Sequence, residues 1–209
     1  MTKITGPIRC WHFACDDRKL HQARESHGRI VEVVPGLTLG EPRHLIMPRE
    51  CGLHASIRPL DALGYAYGSY VSRVELRGRI IDGGDKLCAS WRRHLWCADA
   101  DAVLREFARW CALRVIHLWD CPDVVRRYLE TGDESIRDAA RAAACDAARA
   151  AACDAARAAA CDAAGAAWAV ARAVAGDAAA AWDAARAAQD NKLTELLLNL
   201  APEDYREAV

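Results

Sequence analysis

No charge of either sign dominates this chain: 28 Lys and Arg stand against 29 Asp and Glu, a formal net charge of −1. Counterion release, which draws proteins onto nucleic acid, needs a cation surplus, and an acidic tail would need the opposite. A nucleic-acid partner is therefore disfavoured. Long apolar runs are missing as well, because Asp or Arg breaks the Ala-rich region every few residues, so no segment is built to span a bilayer. The first residues, Met1 to Pro7, lead into no apolar signal core, and the expectation is a soluble protein of the cytoplasm. Cysteine is plentiful, with ten residues, but its spacing fits neither a disulfide framework nor a zinc site, and Cys10 and Cys15 have no second pair. No metal is expected. A phosphate-cradling glycine loop, a Gly-x-Ser-x-Gly elbow and a His-Glu-x-x-His helix are all absent, which removes the enzyme classes those motifs serve.

What is present is a repeat. Asp-Ala-Ala-Arg-Ala-Ala-Ala-Cys is written three times between Asp138 and Cys161, then loosens into Ala-rich sequence running to about Ala188. Alanine is the best helix former, and Asp138, Asp146 and Asp154 each precede an arginine by three residues, an order that suits a helix at roughly 0.2–0.5 kcal/mol per pair. One helix from Asp133 to Ala188 would be on the order of 80 Å long. The segment is either a projecting rod or a hairpin that turns near Gly165 or Gly176, where glycine weakens a helix by about 1 kcal/mol. Eight residues advance about 80° around a helix, so the repeat makes no heptad seam. Its small side chains offer a surface that another helix can approach closely. Trp168 and Trp182 share a face at heptad spacing and are candidates for docking a neighbour or for packing on this chain's own domain. Leu193, Leu196, Leu197, Leu198 and Leu200 form a cluster that either caps the helices or mediates association.

The 53% hydrophobic content is inflated by this alanine, which buries little area per residue. A core must come from the first two thirds of the chain. Alternating apolar residues predict strands over Ile8–Phe13, Ile30–Val34, Tyr70–Ile81 and Lys86–Trp96, with Asp82-Gly83-Gly84-Asp85 joining the last two as a hairpin. Pro59 opens a short helix within Arg58–Tyr67 that places Leu60, Leu63 and Tyr67 on one face. Asp99 or Asp101 caps a second helix whose stripe is Val103, Leu104, Phe107, Cys111, Val115 and Leu118. After Pro122, another helix should bury Val124, Val125, Tyr128 and Leu129 against the domain and stop at Gly132. The organisation expected is α+β: a β-rich domain over 1–97 with a short helix, amphipathic helices over 98–131, an Ala-rich helical segment over 132–190 and a Leu-rich cap over 191–209.

Candidate chemistry is confined to the β-rich part. His12 stands between aromatics on the first strand, and His54 follows a turn within Gly52-Leu53-His54-Ala55-Ser56. Tyr65, Tyr67 and Tyr70 lie just beyond, and Glu75, Asp82 and Asp85 supply carboxylates. Histidine titrates near neutrality and tyrosine stacks on planar rings, so the group could hold a nucleotide-like ligand. The plainer reading is of hydrogen-bonded strand histidines and solvated acids.

The same residues carry a resemblance. Gly52-Leu53-His54-Ala55-Ser56, Pro59-Leu60-Asp61, Val74-Glu75 with Gly78, and Asp85-Lys86 with Ala89-Ser90, followed by an Ala-rich tail, resemble a family of phage and prophage proteins without an assigned activity. The order of strand histidine, Gly-x-His-x-Ser, helix and Val-rich strand is also similar to small ADP-ribosyltransferases. That second likeness implies NAD as cofactor, His12 on the ribose, His54 near an aromatic position of the second strand and Tyr65 stacked on nicotinamide. Asp85 is left as the acid, because no glutamate follows Ile81 in the expected strand. Two functions result. One is a non-enzymatic phage accessory protein in the host cytoplasm, with no cofactor, whose head recognises a protein partner such as a host factor while the Ala-rich helices self-associate. The other is an NAD-dependent transferase or its inactive descendant.

Overall fold

The computed structural model describes residues 6–20, 30–44, 46–47, 51–162 and 167–206, and no side chains for 150–162, 167–182 and 206. Its elements are β1 (Ile8–Ala14), β2 (Lys19–Leu20), β3 (Val31–Glu32), β4 (Thr38–Gly40), β5 (Leu53–Ala55), α1 (Pro59–Leu63), β6 (Tyr70–Asp82), β7 (Leu87–Asp99), α2 (Asp101–Val115), α3 (Asp123–Thr131), α4 (Arg137–Asp162), α5 (Ala167–Leu198) and α6 (Glu203–Arg206). Strands and helices are both abundant, and the class is α+β. The chain divides into two units, Met1–Leu104 with Asp190–Val209, and Arg105–Gln189.

In the first unit the two long alternating runs pair as the β6–β7 hairpin, where Gly84, at φ +95°, takes a backbone conformation that side chains resist. The Asp82 carboxylate accepts the Gly84 N–H at 2.8 Å and fixes the turn. Around this hairpin the antiparallel order is β1-β6-β7-β4, with β5 also on β7. The free edge of β1 does not face solvent along its length. Trp11 N–H donates to the Ser56 carbonyl at 2.7 Å and Ser56 N–H donates back at 3.0 Å, so the sheet closes on itself beside β5. Closure removes an edge that would otherwise template pairing with other chains.

Cys10, Ala55, Val74, Leu76, Leu87 and Ala89 make one core cluster, while Ala14, Leu20 and Val33 make another with Leu39, Tyr70 and Cys97. β6 tolerates the curvature through irregularities at Arg73/Val74 and Arg77/Ile80, the usual means by which a strand bends and twists more strongly. The end of α5 belongs to this unit: Leu193 and Leu197 are fully buried, and the Asp190 carboxylate accepts the Leu60 N–H at 3.1 Å.

Three short strands, β2, β4 and β5, were not visible as alternation, since two or three residues carry no period. The helix opened by Pro59 stops at Leu63 rather than near Tyr67. Tyr67 is consequently 73% exposed and off the expected face.

In the second unit Phe107 is buried and stacks on Trp110. The expected stripe fails at its far end. Val115 is exposed at the last residue of α2, and the helix then tightens into a 3-10 turn over Ile116–Leu118, which loses the α-helical phase and leaves Leu118 exposed. Pro122 precedes α3, and Gly132 closes it in the left-handed conformation at φ +67°. Asp133 accepts the Ser135 N–H at 3.0 Å and opens the next turn. Val125 clusters with Cys121 and Ala140, and Tyr128 and Leu129 pack there with Ala143 and Ala144. Within its unit α3 packs on the first octad, where alanine lets two helices approach closely enough for valine to fill the gap. The two borders of the Ala-rich segment both meet α2, through Arg105 with Glu134 at 3.3 Å and Cys111 hydrogen-bonded to Gln189. α5 continues through Gly176, while Gly165 lies outside the described residues. Among the described residues no helix is long and apolar enough to cross a membrane.

Candidate functional site

The four residues expected to form a catalytic set occupy different settings. Tyr65, just past α1, donates its hydroxyl hydrogen to Asp85 at the tip of the β6–β7 hairpin. The Lys86 ammonium lies 4.0 Å from the Tyr65 ring centroid. Hydroxyl and one ring face of this tyrosine are therefore engaged within the chain, at a site where Tyr65 is 42% exposed.

His12 points elsewhere. It pairs with Ser72 across β1 and β6, and its ring meets that of fully buried His94 edge-on at 5.7 Å between centroids. His54 lies on β5 opposite Cys88, and its carbonyl accepts from buried Arg92 at 2.7 Å. In the antiparallel register set by the Trp11–Ser56 bridge, His12 opposes Ala55 and His54 opposes Phe13. Directly opposed residues share a face and successive ones alternate, so the two histidines are out of phase and emerge on opposite sides. The structure brings Tyr65 and Asp85 together, and it assigns His12 and His54 to other surroundings.

Of the residues expected to dock a neighbour, Leu193 and Leu197 are spent inside the first unit. Trp168 and Trp182 ride on α5 with side chains outside the described residues. Among the described residues no group of three or more His, Cys, Asp or Glu side chains is arranged to hold a metal ion.

A second location was not visible in the sequence. Cross-strand pairing sets Arg9 and Arg93 on either side of Glu75, and in the next row sets Arg77 against Trp91, whose other neighbour is Gly40. The Arg77 guanidinium lies 5.3 Å from the Trp91 ring centroid and donates to Glu75 at 2.7 Å. Arg79 donates to the Arg43 carbonyl at 2.9 Å and holds the segment after β4 in place. Between them lies a shallow groove of about 740 Å³, lined by Gly40, Glu41, Arg43, Arg77, Gly78 and Trp91 among others. These residues come from three separate stretches of chain, so no local motif announces them.

Farther along the same strand Arg73 lies over Trp11 at 4.6 Å, and burial holds its guanidinium below the usual arginine range. Burial also pushes the neighbouring Cys10 thiol up to about 12, against the opposing pull of Arg73. This thiol is a packing group and not a nucleophile. No protein-family model matches the chain, and no curated protein or solved structure does either.

Proposed function

We propose that this protein is a non-enzymatic accessory factor, encoded by a phage or prophage and acting in the host cytoplasm, whose closed β head recognises a protein partner. Its Ala-rich helices serve assembly or spacing. The observation that carries the reading is the seating of α3 on α4: Val125, Tyr128 and Leu129 pack against Ala140, Ala143 and Ala144 of the first octad. An octad surface accepts a helix at close range, and the second and third octads repeat that sequence. Copies of the chain then have a ready means of self-contact. Because both borders of the segment lie against α2, we infer a helical hairpin in place of a rod. The mobile-element origin rests on the sequence resemblance.

Size-exclusion chromatography with light scattering tests the assembly role, with a concentration-dependent mass expected. A monomeric mass at every concentration would remove it. The competing reading, an NAD-dependent ADP-ribosyltransferase or its descendant, draws on the contact between Tyr65 and Asp85. Ligand at 100 times its dissociation constant stabilises a protein by about 2.7 kcal/mol. A thermal shift with NAD that is lost in Asp85→Ala would favour the enzyme, and an unchanged melting curve favours the binding protein.

A further inference from the structure

The whole-chain charge of −1 conceals a segregation: residues 1–97 hold 15 Lys and Arg against 10 Asp and Glu, and residues 98–209 hold 13 against 19. Within the basic part, the outer rows of β1, β6 and β7 gather Arg9, Arg77 and Arg93 around the carboxylate of Glu75, with Arg43, Arg79 and the buried Glu41 at the adjoining groove. Arg9, Glu75 and Arg93 alternate in sign across the strands, but five guanidinium groups stand against the two carboxylates of Glu75 and Glu41, and the surplus positive charge suits an anionic partner.

The groove beside them adds an aromatic surface. Trp91 is half-buried, and its cross-strand neighbour is Gly40. A Cβ placed on Gly40 would meet nothing within 4 Å, so the space beside the indole is open. Arg77, whose side chain is 55% exposed, borders that indole, and the groove is shallow and open enough for an extended ligand to lie along it. Guanidinium groups tracking a run of charge, next to an indole with an open flank, are the two components by which proteins hold unpaired nucleotides. An acidic peptide would use the arginines but has no planar group for the slot beside Trp91. A duplex keeps its bases stacked inside and cannot present one there.

We propose that the groove between β4 and the β6–β7 hairpin binds single-stranded nucleic acid, one base against Trp91 and the flanking phosphates on Arg43, Arg77 and Arg93. This site is independent of the protein-partner reading and of the Ala-rich helices. The test is fluorescence anisotropy of the full chain with labelled oligothymidylate and oligouridylate, each titrated over a range of salt. Three phosphate contacts on a single strand give a slope of log K against log salt of about −2. Trp91→Ala should weaken binding roughly five- to a hundredfold, and the surface pair Arg77→Gln with Arg93→Gln should both weaken it and flatten the slope by about 1.4. Arg149→Gln, on the Ala-rich helix, should leave it unchanged. If Trp91→Ala does not keep the wild-type circular dichroism, the double arginine variant decides. The proposal is overturned by no binding, by binding without salt dependence, by equal affinity for duplex or for polyglutamate, or by a double variant that binds like the parent.

Discussion

The Asp190 carboxylate, late in α5, accepts the backbone N–H of Leu60 at the start of α1, 3.1 Å away and 130 residues earlier in the chain. Arg58, beside it, is ion-paired with Asp61 at 2.7 Å and also feels the Asp190 charge. The first turn of a helix has N–H groups without helical partners, and α1 receives one acceptor from the far end of the chain. Asp190→Ala should lower stability by about 1 kcal/mol, the usual cost of losing such a cap. Urea unfolding of the variant checks this, and Asp190→Asn, which keeps an acceptor oxygen, should recover most of the loss.

Gly78 sits in the β6 irregularity at φ +80°, and a Cβ there would fall on the Ser90 hydroxyl. Gly78→Ala combines an unfavourable backbone with a steric collision. A loss of about 1–3 kcal/mol is expected, read as a lowered urea midpoint. Gly40→Ala, with open space around its Cβ, should stay within about 0.5 kcal/mol of the parent.

Deleting any one of the three octads yields the same polypeptide, because the copies are identical. The alanines that receive Val125 are regenerated in each case. The expected product is shorter by about 12 Å of helix, with the cooperative unfolding of the β head unchanged in calorimetry. A shift in the head's transition would show that the repeat supports it.

Cys10 makes the folded state bind a proton that the unfolded state releases near its ordinary pKa of 9.0. Its contribution to stability is complete below that pH and is lost as pH rises from there to about 12, since the unfolded chain then holds fewer protons. Cys10→Ala should lessen the alkaline loss of stability. In thiol labelling near pH 8, exposed Cys145 should react at once and Cys10 only with unfolding.

The long strands β6 and β7, the hairpin between them and the Gly132 stop were readable because each rests on a pattern of several adjacent residues. The sequence overstates α1, because Leu60, Leu63 and Tyr67 keep helical spacing after Gly64 has ended the helix. Residue type alone marks Tyr65 and Asp85 as candidates, and the hairpin brings them together. His12 and His54 share with them only a chemical type. Strand phase separates those two, and phase depends on a bridge between Trp11 and Ser56 that no periodicity encodes.

Local order in this chain follows from composition: alanine with Asp and Arg at fixed offsets makes helix wherever it lies, and alternation with a Gly-Gly turn makes a hairpin. Tertiary structure alone decided which strands join the β6–β7 hairpin, and with them the closure of the sheet, the return of Asp190 to Leu60 and the Arg77–Trp91 groove. The physical reason is that backbone pairing between distant segments is set by which apolar faces can be buried together. That is a property of the assembled layers, which single stretches of sequence do not contain.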